Sequence, residues 1–234
     1  MDIVSILEST LSNDIRRLDV VAQNLANLNT VGFKKTSMTQ SFDRYLSGND
    51  QQHLGGLLIP TKSISTDFSA SSPKDTGGRL DFAIDGNGFF EVRGKEGVFY
   101  TRNGQFSVSP DGFLETVKGY RVMGDSGDIY VGTESIKIGH DLQIEVGEEV
   151  RGRLKLVDFS SPQKLLAIGA GLYKGSDDGS AATDSSVLQG YLETSNVNTV
   201  DEIVQMMSLT RHFETAHVAL KSYDNVLDMS LIHI

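Results

Sequence analysis

The sequence predicts an α+β fold in which two terminal helical segments with coiled-coil seams flank a central antiparallel β-domain, sandwich or barrel-like. Two observations carry this. At both ends apolar residues recur in alternating steps of three and four, the pattern of a helix with one buried seam. In the middle the period falls to two, and Gly-rich turn signals interrupt short apolar runs at roughly eight- to twelve-residue spacing.

At the N-terminal end, Val4, Leu7, Leu11, Leu18, Val21, Leu25 and Leu28 follow that stepping, with Asp14 in the one polar slot. Asp2 is placed to cap the helix start, and Asn27, Asn29 and Gly32 supply stop signals, so the helix is expected to end near residue 28. At the other end Met206, Leu209, Phe213, Ala216, Leu220, Tyr223 and Leu227 repeat the pattern, widened by Ile203, Met207 and Leu231. Ser195–Thr199 followed by Asp201 and Glu202 suits a helix N-terminus, where acids meet the positive end of the dipole.

Between them, strands are expected at Phe82–Ile84, Phe89–Val92, Val98–Tyr100, Phe106–Val108, Phe113–Val117, Ile129–Val131, Ile136–Ile138, Leu142–Val146 and Leu154–Phe159. Asp85-Gly86-Asn87-Gly88, Asn103-Gly104 and Asp111-Gly112 offer the positive φ angles of tight hairpins. Residues 47–56 and 175–186 read as loops. The expected organisation is residues 1–35 as an N-terminal helix and turn, 36–78 as an extended connection, 79–190 as the β-domain, and 191–234 as a C-terminal helix pairing with residues 1–30.

Composition narrows function. Twenty-one basic against 31 acidic residues give a net charge of −10, which argues against nucleic acid and anionic membrane surfaces. With no cysteine, disulfides, thiolate metal sites and cysteine nucleophiles are excluded. No secretory signal and no membrane-length apolar run is visible, so these signals alone predict a cytoplasmic protein.

Candidate chemistry is thin. Gly124-Asp125-Ser126-Gly127 imitates a serine-protease nucleophile, but the upstream histidine is His53 in a polar stretch, so a turn between strands is expected. Asp85 and Asn87 begin like a calcium loop, yet Phe89 stands where the third ligand belongs. His212 and His217 are five apart and do not form an i, i+4 ligand pair, so both are expected as surface residues. No catalytic residue, metal ligand or cofactor is predicted.

An apolar stripe must be buried or the helix stays marginal. The two ends pair privately as a stalk, or they join neighbouring copies; periodicity alone does not choose. Here a resemblance bears on the question. Leu18–Lys35, with its Asn-Leu-Ala-Asn and Asn-Thr-Val-Gly-Phe-Lys elements, resembles the signature of the flagellar rod, hook and hook-associated family. Leu80–Val92, Tyr100–Phe106 and Asp111–Leu114 are similar to that family's shared core, and Gly190–Asn198, Val200–Met207 and Arg211–Glu214 to its C-terminal signature. Val122–Ile129 and Gly152–Phe159 look most like the proximal-rod members, with distal-rod members a close second.

The resemblance implies a non-enzymatic axial subunit in the basal-body rod, exported by the flagellar type III apparatus without a cleaved signal. That route replaces the cytoplasmic expectation. Partners are copies of the chain, other rod proteins and the inner-membrane ring or export-gate side, with no nucleic acid and no membrane span. The expected helical interface is Val4, Leu7, Leu11, Leu18, Val21, Leu25, Ile203, Met206, Leu209, Phe213, Leu220 and Leu227. Asn24, Asn27, Asn29, Gly32 and Phe33 are expected to shape the joint after the first helix.

Overall fold

A computed structural model describes residues 3–41, 61–132, 136–139, 142–147, 149–175, 179–182 and 185–232. Two helices, α1 (Ile3–Ala26) and α2 (Thr199–Ile232), flank a central antiparallel β region, and the chain divides into two compact units. One gathers Met1–Asn27, Thr36–Thr66 and Val197–Ile234; the other gathers Leu28–Lys35 and Asp67–Asn196.

In the first unit α1 and α2 pack antiparallel, since Asn24 meets Glu202 while Asp14 meets His212. The α2 start is as its residues dictate. The Asn198 side-chain oxygen accepts the Val200 N–H at 3.0 Å, and Asp201 and Glu202 occupy the first turn. At the α1 end both the side chain and the backbone N–H of Asn27 donate to the Gln23 carbonyl, at 2.8 and 3.2 Å. A hairpin of β1 (Thr36–Ser41) and β2 (Thr61–Thr66), register Thr36 with Thr66, packs against α1. The sequence gives this region as a plain connection; its strands, Thr-Ser-Met-Thr-Gln-Ser and Thr-Lys-Ser-Ile-Ser-Thr, lack the apolar alternation that marks a strand.

The second unit holds β3 (Pro73–Asp75), β4 (Phe82–Asp85), β5 (Phe89–Gly94), β6 (Gly97–Thr101), β7 (Phe106–Val108), β8 (Leu114–Thr116), β9 (Arg121–Gly124), β10 (Gly127–Asp128) and β11 (Ile136–Ile138). It continues with β12 (Gln143–Val146), β13 (Glu149–Arg153), β14 (Leu156–Asp158), β15 (Leu166–Gly169), β16 (Leu172–Lys174), β17 (Ser180–Ala181), β18 (Ser186–Gln189) and β19 (Tyr191–Glu193). All pairings are antiparallel, and the largest sheet runs β15-β16-β6-β5-β9-β8-β7. Its centre is β5. One edge pairs with β6; the other is shared, Phe89 and Phe90 facing β14 and Val92 and Arg93 facing β9.

The core contains Phe82, Phe90, Val92, Phe106, Leu114, Val122, Ile144 and Leu154, while Phe89, Tyr100, Val157, Leu165 and Tyr173 form a second cluster. Leu142 through Val146 alternates as its sequence predicts, with Ile144 and Val146 buried and Gln143 and Glu145 exposed.

Several expectations are corrected. Of the three turn signals, Asp111-Gly112 alone closes a hairpin, β7 to β8. Asp85–Gly88 links β4, which pairs with β18, to β5 in another sheet. Asn103-Gly104 joins β6 to β7, which do not pair, and Gly104 is required for closeness: a Cβ there would lie 1.7 Å from the Phe82 carbonyl oxygen. Ile129–Val131 is no strand; Tyr130 makes one isolated bridge to Phe113. Residues 191–193, expected to open the C-terminal helical segment, form β19 against β3, while α2 starts at Thr199, within the capping stretch the sequence predicts. Gly124–Gly127 is the expected turn between strands, joining β9 to β10, while His53 lies outside the described residues.

Candidate functional site

Two arrangements of buried polar and apolar groups stand out, one in each unit. In the helix pair, Val21 and Leu209 are buried, and Val4, Leu7, Leu11, Leu18, Leu25, Met206, Phe213 and Leu220 are half-buried. The side chain of Leu227 lies outside those described. Ile203 departs from the expected seam: it is 43% exposed. At about 100° per residue, positions 202, 209 and 216 share the buried side of α2, whereas 200, 203, 204, 207 and 218 fall on the opposite half. Those five are Val200, Ile203, Val204, Met207 and Val218, all exposed. Over residues 200–207 α2 is therefore apolar on a second face besides the one α1 covers, and exposed Arg211 and Glu214 continue that second face further along.

Polar groups punctuate the covered face. Asp14 is 2% exposed, and its carboxylate lies 2.5 Å from His212 Nδ1. That contact answers why a carboxylate sits in an apolar seam and ties His212, expected as a plain surface residue, to α1. One helical stretch on, Asn24 Nδ2 donates to Glu202 Oε2 at 3.1 Å and to the Thr36 carbonyl at 2.8 Å, while its Oδ1 accepts the Thr36 N–H at 2.9 Å. Asn24 and Glu202 are buried, so the amide satisfies donors and acceptors water does not reach.

In the second unit the turn after α1 docks into the β region. Gly32, at φ +65°, donates its N–H to the Glu193 carbonyl at 2.8 Å. A Cβ there would lie 2.6 Å from the Arg102 backbone, so glycine is needed twice over. Phe33 is buried and its carbonyl accepts the Asn196 N–H; Asn27 is half-buried and Asn29 is exposed. Lys34 then runs inward. Its Nζ donates to Glu193 Oε1 at 2.6 Å and to the Ser69 carbonyl at 2.7 Å, with both charged side chains at most 2% exposed. Glu193 Oε1 also accepts the Ser71 N–H at 3.0 Å, and its Oε2 lies 3.6 Å from Arg102 Nη1. Arg102 donates from Nη2 to the Gly86 carbonyl and lies over the Phe89 ring at 5.4 Å.

Burial pushes the Lys34 ammonium below its usual range, and Glu193 opposes the shift. Burial likewise lowers Arg102, again against Glu193. Tyr173 is pushed up to about 12 by burial and then by the Glu193 charge, with Arg102 acting the other way. Sequence reasoning did not single out Lys34, Arg102 or Glu193, and placed Glu202 only as an acid of the first turn of α2. Charged residues in a sequence read as surface, and the one available signal was that all four sit inside the family-like stretches Leu18–Lys35, Tyr100–Phe106, Gly190–Asn198 and Val200–Met207. Nothing here forms a nucleophile–base pair, and among the described residues no cluster of three or more His, Asp or Glu could hold a metal ion.

The same segments recur elsewhere. Residues 5–34 match the family described as flagella basal body rod protein, 83–151 the flagellar hook protein FlgE/F/G D1 domain, and 188–232 the flagellar basal body rod FlgEFG protein C-terminal family. Across the whole chain, the Bacillus subtilis flagellar basal-body rod protein FlgG is 30% identical over 94% of both chains. The chain belongs to the flagellar basal-body rod family. Rod protein FlgF of Caulobacter vibrioides is 31% identical, covering 92% of this chain and 89% of its own, and that of Rhizobium meliloti is 31% identical over 92% and 90%. Both buried polar contacts join the first rod-family segment to the last: Asn24 and Lys34 lie within 5–34, Glu202 and Glu193 within 188–232.

Proposed function

We propose that this chain is a structural subunit of the flagellar basal-body rod, built into the shaft through α1 and α2 and carrying torque from the inner-membrane ring towards the hook. Membership of the rod family supports the structural role and the basal-body location. No described helix is long and apolar enough to cross a membrane. The observation that carries the assembly reading is the second apolar face of α2. Val200, Ile203, Val204 and Met207 form an exposed apolar stripe at its start, and an apolar stripe on a helix is one that faces a covering surface. A face different from the one α1 takes is free for a heterologous contact with the next copy, the kind that grows into an open helical filament when its rotation does not close a ring.

In this reading Leu7, Leu11, Leu18, Leu25, Phe213, Leu220 and Leu227 form a coiled coil within each copy, and Val200, Val204 and Met207 meet other copies or other rod proteins. The β-rich unit adds lateral contacts, and one end of the shaft meets the export-gate side. The joint residues Asn24, Asn27, Asn29, Gly32 and Phe33 end α1 and turn the chain into the β region.

The test is Val204→Glu, at a position 59% exposed, where a charge leaves the fold of the single chain untouched. Purified hook–basal bodies from cells carrying it are expected to lack the subunit, and the cells to lose motility. Wild-type incorporation of Val204→Glu would overturn the assignment of this face.

A further inference from the structure

Residues 28–35 lie near the start of the chain, yet what they dock against comes from its far end. Lys34 and Glu193 are 159 positions apart, and Lys35 and Asn196 are 161 apart. The contacts form one connected set within the β-rich unit. Gly32 N–H reaches the Glu193 carbonyl, Lys35 N–H the Asn196 side-chain oxygen at 2.6 Å, and Asn196 N–H the Phe33 carbonyl. Asp67 N–H donates to the Lys35 carbonyl at 2.8 Å, and Ser71 N–H to the Glu193 carboxylate. Three separate stretches, 32–35, 67–71 and 193–196, thus hold one another, with Lys34 in their midst.

We propose that residues 28–35 are the closing piece of the β-rich unit, a lock that Lys34 completes and that cannot shut until residues 193–196 are in place.

The electrostatics make the lock conditional. The pocket that receives Lys34 already contains a buried cation, Arg102, whose Nε and Nη1 make no hydrogen bond. Among the described residues Glu193 is the one carboxylate in contact with both, and Asp67 and Asp158 act from further off. Without Lys34, Glu193 keeps one backbone N–H and an Arg102 nitrogen beyond hydrogen-bond range, in a place water does not reach. Without Glu193, two cations face each other undersolvated. Docking is favourable only when both ends of the chain arrive together. Closing so long a loop is slow and comes late among the events that build the unit. An incomplete chain therefore keeps its signature segment undocked. The inference concerns one unit of one chain and holds whether or not the chain assembles.

The test is amide hydrogen exchange on the full chain. The amides of Gly32, Lys35, Asp67, Ser71 and Asn196 are expected to open as one cooperative group with a common opening free energy. Lys34→Met is expected to speed all five by on the order of a hundred- to a thousandfold, the scale for stranding a buried ion partner, while amides of β5 and β6 keep their protection. Widely different wild-type opening energies among the five would overturn the proposal with no variant needed. So would a Lys34→Met chain in which Ser71 and Asn196 exchange as in wild type.

Discussion

Asn24→Ala is the sharpest perturbation of the helix-bearing unit. The Asn24 amide makes one hydrogen bond to the Glu202 carboxylate and two to the Thr36 backbone, from a position 1% exposed. A bond to a charged group contributes roughly 1.5–3 kcal/mol and a neutral one about 1, so the substitution is expected to cost about 4 kcal/mol. With a urea slope of about 2 kcal/mol per molar, the midpoint falls by about 2 M. The assay is urea unfolding followed by helical circular dichroism. Asn24→Asp should cost more than alanine at neutral pH, because a second carboxylate would then face Glu202 at 3.1 Å. Loss of less than about 1 kcal/mol for alanine, within the range of ordinary surface changes, would refute the claim that this amide organises the junction of α1, α2 and β1.

Two further outcomes are expected. Tyr173, 3% exposed, ionises at about 12 in the folded chain against 10.0 when free, so its contribution is intact below pH 10 and is lost as pH climbs towards 12. At about 1.4 kcal/mol per pH unit the loss is roughly 2–3 kcal/mol. Lys34, shifted down from 10.5, has the opposite sign and adds stability as pH rises towards that value. Stability measured against pH should therefore fall less steeply above pH 10 in Tyr173→Phe than in wild type; identical slopes would sink the assignment. Gly104→Ala, with a Cβ 1.7 Å from the Phe82 oxygen, should cost more than about 4 kcal/mol, while Gly152→Ala, with open space around it, stays within about 0.5. Equal denaturation midpoints for the two would show that the approach of the β6–β7 connection to β4 is not tight.

What the sequence made legible follows what burial does to pattern. The windows around Phe82, Phe89, Val98, Phe106 and Ile136 became strands because each sends bulky apolar residues into the core. β13 and β15 were illegible for the converse reason. Glu149–Arg153 and Leu166–Gly169 are almost wholly exposed, so no alternation was imposed on them. The Asn103-Gly104 signal misled because glycine answers to two needs, positive φ and close approach, and sequence does not say which. The buried charges were hidden for a deeper reason. Lys34, Glu193 and Arg102 meet partners more than ninety positions away, or backbone atoms no local pattern announces. Asp14 could be seen as an intruder in the seam, but not that His212 answers it.

The placement of β5 has a mechanical consequence. Its six residues are held by β6 along one edge and by β14 and β9 end to end along the other. In antiparallel ladders the hydrogen bonds lie across the strand axis. A pull along β5 therefore loads both ladders in shear, all bonds at once, whereas a hairpin such as β9–β10 peels open one rung at a time. A pull transmitted along Phe89–Gly94 is therefore opposed by both ladders together, in a strand that also sends Phe90 and Val92 into the hydrophobic core.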